Sequence, residues 1–220
     1  MNTINTYLKS LDYSKYFKAV VEWNATARGG KHDFSDETLL LQKKLVQEEI
    51  DELELAIIQS DKVEVLDALC DIFVVGSYYY YLQAQGDIKD PSFFSILTPL
   101  SGIDYYTSLI FDFKTLDNGF MLTQDVCALL YQFDGFSSAG LNAVMESNDS
   151  KFPDVSVFGK QKNKREEKLK EECKAIEERS EGRYTDVKYS IRGNKVVFLD
   201  SNKKIMKPSS FKPVNLKLFC

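Results

Sequence analysis

The chain has a single histidine, in the stretch "RGGKHDF". One imidazole leaves no partner for a histidine-based metal site, and its glycine-rich, polar surroundings read as a loop in which His32 is an ordinary loop residue. No GxSxG-type motif accompanies it, which removes serine–histidine nucleophilic catalysis. "RGG" also lacks the lysine and hydroxyl residue of a phosphate-cradling loop. Cysteines are few and scattered: Cys70, Cys127, Cys173 and Cys220 form no CxxC pair, so a zinc ribbon and a dithiol motif both fall away and the thiols read as reduced. No run of about 18 apolar residues occurs, and "MNTINTYLKSLDYSKYF" holds no signal-peptide core, so the expectation is a cytoplasmic protein without a membrane partner. Basic excess is missing too. With 28 Lys and Arg against 33 Asp and Glu, a formal charge of -5 argues against a general nucleic-acid surface, which needs cations to displace counterions.

What remains is 220 residues of ordinary globular composition, 44% hydrophobic and 28% charged, enough for one core or one core plus an appendage. Apolar residues at 13, 16, 17, 20, 21 and 23 predict a first helix over about 10–24. After a glycine-containing loop, Asp36 is the expected cap of a second helix running to about Ser60. A short break at Ser60 or Asp61 precedes a third long helix ending near Gly86, and so tight a connection makes the two antiparallel. Residues 87 to 140 mix proline, glycine and aromatics, which reads as an inserted loop with short helices before helical spacing returns in "LTQDVCALLYQFDGF" and "SAGLNAVMESNDSKF". "NKREEKLKEECKAIEERS" is a charged helix with a thin seam at Leu169, Cys173 and Ile176, and the tail alternates like a β-hairpin broken at "RGN" and "SNKK". The expected fold is mainly α, an antiparallel helical bundle with a small C-terminal β-hairpin appendage. Its catalytic domain would span 1–158, with an insertion at about 87–135, and the charged helix and hairpin would fill 159–220.

The chemistry-bearing residues are acids. "LVQEEIDELELAI" places Glu48 four and Glu49 three residues before Glu52, and "LDALCDIFVV" places Asp67 and Asp71 four apart on the next helix. Residues at these spacings share a helix face, so like charges there oppose one another, more strongly if partly buried. Asp51 and Glu54 read as a solvated face. Asp67 and Asp71 do not, because Leu66, Ala68, Leu69, Cys70, Ile72 and Phe73 around them leave almost no polar side. A hard divalent cation with oxygen ligands reverses the repulsion, and such ions typically join carboxylates to substrate phosphates.

"QEEIDELELAI" followed by "VEVLDALCDIFVVGS" resembles the MazG-like all-α nucleoside triphosphate pyrophosphohydrolases, specifically the phosphoribosyl-ATP-pyrophosphohydrolase-like proteins common in phages. "MESNDSKF" resembles that family's Ser-Asn-x-Ser-Lys segment, and "DSNKKIMKPSSFKPVNL" its closing GK-x-x-K-P tail. The resemblance covers residues 40 to 84, 141 to 152 and about 183 to 216. It implies a helical bundle assembled as a homo-dimer or homo-tetramer, with Mg²⁺, or Mn²⁺ in its place, held by acids of both long helices. It also implies hydrolysis of a nucleoside triphosphate, of the deoxynucleotide kind for a phage or its host's cytoplasm, to the monophosphate and pyrophosphate.

Carried over by position, Glu49, Glu52 and Asp71 fall on metal-ligand positions, and Glu48 falls where a further ligand or the water-orienting catalytic carboxylate is expected. The family's second half is Glu-x-x-Asp, but Ala68 stands three residues before Asp71; Asp67 is the substitute ligand and Glu64 its competitor. Lys151 is the expected phosphate-binding cation, with Ser147, Asn148 and Ser150 as hydrogen-bonding support, Ser150 reading equally as a helix-end cap. Asp149 departs from the family's usual methionine. Lys204 and Lys207 are expected at a substrate phosphate across a subunit boundary, or in a solvated turn. Asn24 is the candidate base reader beside Trp23, which reads also as core, and Tyr78 to Tyr81 read as bundle packing. Competing functions are the same fold acting on phosphoribosyl-ATP or an alarmone, and a catalytically silent metal-binding oligomer.

Overall fold

A computed structural model of the chain describes residues 13–88, 117–134 and 138–219, so most of the expected insertion lies outside the described residues. Six α-helices and one hairpin appear among them: α1 Ser14–Ala27, α2 Asp36–Gln59, α3 Lys62–Gln83, α4 Gly119–Asp134, α5 Ala139–Asp149, α6 Lys162–Arg179, β1 Lys188–Arg192 and β2 Lys195–Leu199. The fold is therefore mainly α with a small antiparallel hairpin, as expected.

Local chemistry sets the α2–α3 pair. The cap of α2 is Ser35 rather than Asp36: the Ser35 hydroxyl accepts from the Thr38 N–H at 3.3 Å, while Asp36 and Glu37 fill the first turn, where carboxylates favour the helix dipole. At the other end Ser60 takes the left-handed conformation (φ 57°), its N–H meeting the Ala56 and Ile57 carbonyls. Asp61 then caps α3, accepting from the N–H groups of Val63 at 3.0 Å and Glu64 at 3.2 Å. Two residues thus close one helix and open the next, and α2 and α3 pack along their lengths. α3 is long and apolar enough by composition to cross a membrane, but 72% of its most apolar stretch is buried, as in a core helix.

The chain forms two compact units. One comprises the described residues of 1–25, 32–144 and 215–220, the other 26–31 and 145–214. In the first, α1 lays Tyr13 and Tyr16 against Phe73 of α3, with ring centroids 5.9 and 6.4 Å away, and Phe17 against Tyr80. α4 approaches α3 closely at Gly119, where an added Cβ would stand 2.8 Å from Gln83 Oε1 and 2.9 Å from the Tyr80 nitrogen. Next to it, Asp117 accepts from Tyr79 OH and pairs with Lys43, so the turn into α4 is tied to α2 and α3. Burial, then the Asp117 carboxylate, pushes the Tyr79 phenol upward and keeps it a donor. Gly119→Ala, which favours most helices, is here expected to lower stability by about 1–3 kcal/mol through overpacking, read as a lower urea midpoint; an unchanged or higher midpoint would contradict the close approach.

The second unit has its own core of Phe158, Leu169, Cys173, Ile176, Val196 and Phe198, so the thin apolar seam of α6 is its buried face. β1 and β2 pair from Lys188↔Leu199 to Arg192↔Lys195. Within the second unit the segment after α5 bonds to the hairpin: Val155 N–H to Asn194 O at 2.8 Å and Val196 N–H to Pro153 O at 2.9 Å. Likewise residues 215–218 pack on α3 of the first unit instead of completing the appendage.

Candidate catalytic site

On α2, the positions Gln42, Val46, Glu49, Leu53 and Ala56 recur at alternating steps of four and three, so they form one stripe. Four of them are buried, and Glu49 is half-buried among them: a carboxylate occupies a core-facing position. On α3, every residue from Val65 to Tyr79 is buried except Asp67, Asp71 and Val75. The only polar strip in the middle of that helix is thus made by the two aspartates.

The Gln42 side chain donates to the Val75 carbonyl at 2.9 Å and sets the register of the antiparallel pair. At about 1.5 Å of rise per residue, counting away from that bond puts Val46 level with Asp71 and Ile50 level with Asp67, to within about a turn. Glu49 therefore lies between the two aspartates along the helix axis. Glu52 is one turn onward and exposed, Glu48 is exposed on the outer side of the stripe, and Glu64 is exposed in the first turn of α3. By the same counting Glu64 stands level with Leu53, next to Glu52.

The carboxylates themselves do not converge. Among the described residues no three Asp, Glu, His or Cys side chains are close enough together to hold a metal ion, and none of Glu48, Glu49, Glu52, Asp67 and Asp71 is without an interaction partner. Common level comes from the helices, convergence from side-chain torsions. The donor set nonetheless fits a hard cation such as Mg²⁺ or Mn²⁺, since it consists of carboxylate oxygens with no thiolate or imidazole among them.

In the second unit, the segment at the end of α5 meets the tail. Ser147 Oγ donates to the Lys212 carbonyl at 2.8 Å, and Ser150 Oγ accepts from the Lys212 N–H at 2.9 Å while donating to the Ser147 carbonyl at 2.6 Å. Both hydroxyls serve the main chain, Ser150 also as the helix-end group that its position had suggested. Asn148 is buried, Lys151 half-buried and Asp149 exposed. Lys204 stands in a turn ordered by Asp200, which accepts its N–H at 2.7 Å, with its ammonium 5.7 Å from the centre of the Tyr184 ring. Lys207 places its ammonium 5.0 Å from the centre of Phe211, while Glu172 accepts from the Ser209 N–H at 2.6 Å and from Arg179. Sequence reasoning missed Lys212, Glu172 and Arg179 as the tail's anchorage; the second Lys-Pro dipeptide at Lys212 was the available signal.

Asn24, the candidate base reader, is only 5% exposed, and its amide donates to the Val20 carbonyl one turn back at 3.0 Å. A side chain so placed braces α1. Trp23 beside it is half-buried. His32 is more than a loop residue: its ring centre lies 4.6 Å from that of Tyr81, with Tyr78 and Phe34 at about the limit of ring contact.

Residues 26–86 match the model of the phosphoribosyl-ATP pyrophosphohydrolase family, a segment that includes all five candidate metal ligands and ends before the Ser147–Lys151 and tail motifs. No curated protein and no solved structure matches the chain. Residues 26–86, little more than a quarter of the chain, are thus similar to the phosphoribosyl-ATP pyrophosphohydrolase family domain, of the MazG-like all-α superfamily whose general activity is nucleotide pyrophosphohydrolysis.

Proposed function

We propose that the protein hydrolyses a nucleoside triphosphate, of the deoxynucleotide kind, to the monophosphate and pyrophosphate in a reaction that requires Mg²⁺, and that it works as a homo-dimer or homo-tetramer. The carrying observation is Glu49, an acid kept in a core-facing stripe level with Asp67 and Asp71, where its neighbours are apolar. A carboxylate level with two aspartates across a helix pair supplies the oxygen donors that a hard cation takes. Glu49, Asp67 and Asp71, with Glu52 one turn away, are the residues that would hold the cation, and when bound it supplies neutralisation of the triphosphate's charge.

The remaining work falls to orientation. Breaking the bond between the α and β phosphates needs an attacking water in line with the leaving pyrophosphate. Glu48, exposed beside the acid stripe, accepts a hydrogen bond from that water and aims its lone pair at the α phosphorus. Lys151, Lys204 and Lys207 are the proposed cationic partners of phosphate oxygens; Ser147 and Ser150 hold the tail in place.

The test is a panel of nucleotides incubated with the purified protein, with and without Mg²⁺, with products separated by chromatography. Pyrophosphate and monophosphate should appear only with the metal. Release of inorganic phosphate alone would refute the bond choice. The family match favours one second reading, phosphoribosyl-ATP as substrate, and including that compound in the panel separates the two by which substrate is turned over.

A further inference from the structure

The α3 stripe that carries the acids continues beyond them. Asp67, Asp71, Val74, Tyr78 and Tyr81 recur at steps of four, three, four and three, so they share one helix face. Two acids mark one end and two tyrosines the other, with Val74 buried between them. At about 1.5 Å per residue, Tyr78 stands roughly 10 Å and Tyr81 roughly 15 Å from Asp71 along the axis, comparable with the reach from phosphate to base in an extended nucleotide.

At that far end the α1–α2 loop brings in two more rings. The His32 ring meets Tyr81 edge-on with centroids 4.6 Å apart, its Nδ1 lies 3.3 Å from the Tyr78 hydroxyl, and Phe34 lies 5.9 Å from Tyr81. Gly86, at φ +75°, allows the closeness of loop and helix: a Cβ there would stand 3.0 Å from Phe34 and 3.1 Å from the Tyr81 hydroxyl. Tyr78 is fully buried beneath, whereas His32, Phe34 and Tyr81 remain half-buried. Ring surface is thus left at the rim, in line with the acids, while Asn24 is buried and bonded within its own helix.

We infer that the rim formed by His32, Phe34 and Tyr81 is the base-binding subsite, where a planar heteroaromatic base stacks on aromatic faces while its phosphates lie toward Asp67 and Asp71. The inference rests on the nucleotide reading above and adds to it the groups that recognise the base. Tyr81 and Phe34 supply stacking area, and His32 holds the loop against Tyr78. Stacking discriminates by ring area rather than by hydrogen-bond pattern, so purine nucleotides bind more tightly than pyrimidine nucleotides.

The test compares two ligands in Mg²⁺ by titration calorimetry: an α,β-methylene nucleoside triphosphate, which has a base, and inorganic tripolyphosphate, which has none. Tyr81→Leu and Phe34→Leu should each weaken the nucleotide analogue about tenfold and leave tripolyphosphate affinity unchanged. The second variant alters the loop instead of α3, so one folded variant suffices. Equal losses for both ligands, or no loss for the nucleotide, would overturn the subsite while leaving the enzymatic reading intact. A wild-type protein that binds tripolyphosphate and nucleotide with equal affinity would overturn it too; binding of neither would remove the nucleotide reading itself.

Discussion

Glu49→Leu is expected to abolish pyrophosphate release. Glu49 interrupts a stripe whose other members, Gln42, Val46, Leu53 and Ala56, are buried, and it stands level with Asp67 and Asp71. Losing a ligand of the proposed cation should lower turnover by about a thousandfold or more, equivalent to several kcal/mol of charge stabilisation. Glu49→Gln keeps the shape and serves as control: activity should fall with it as well. A leucine variant that still releases pyrophosphate would mean that Glu49 is structural.

The largest stability effect is expected at Phe73. Its side chain is fully buried in α3 and meets Tyr16 edge-on, at 90° between planes, and Tyr13 at 48°. Phe73→Ala removes the partner of two α1 rings at once and leaves a cavity that the rigid α2–α3 pair does not close, so a loss of about 3–5 kcal/mol is expected. That is a large share of a typical domain's stability of about 5–15 kcal/mol. Phe120→Ala is the comparison. Phe120 is half-buried, with its ring centroid 5.4 Å from that of Tyr80, and its loss should be clearly smaller in the same urea titration. Losses equal within error would mean that α1 does not depend on Phe73 for its seat.

Most of the helical framework was legible because its determinants are local. The 3.6-residue period gives α1, α2, α3 and α6, the Ser60–Asp61 break gives the corner, and "RGN" gives the hairpin turn, each from a few adjacent residues. The cap shifted from Asp36 to Ser35 because both residue types bond helix N–H groups, and the hydroxyl one position earlier meets Thr38. Level between acids was less legible. Spacing places Glu49 on a face, but only the Gln42–Val75 bond shows where along α3 that face lies. The partners of Ser147 and Ser150 were out of reach, since a hydroxyl's choice of a main chain more than sixty residues away leaves no trace in its neighbours. For the same reason the rings around His32 passed for a loop and a packing run: each is unremarkable in its own segment, and their common rim exists only when the loop folds onto α3.

The two-residue corner has a mechanical corollary. Because Ser60 and Asp61 are both committed to helix-end bonds, a single residue inserted within α3 between Asp61 and Asp67 would turn the acid face by about 100° and shift it by about 1.5 Å. The gauge that sets the acids level is thus a pair of ordinary capping residues, less than two turns from Asp67. Length variation within that turn of helix would scramble the alignment, even with every acid retained.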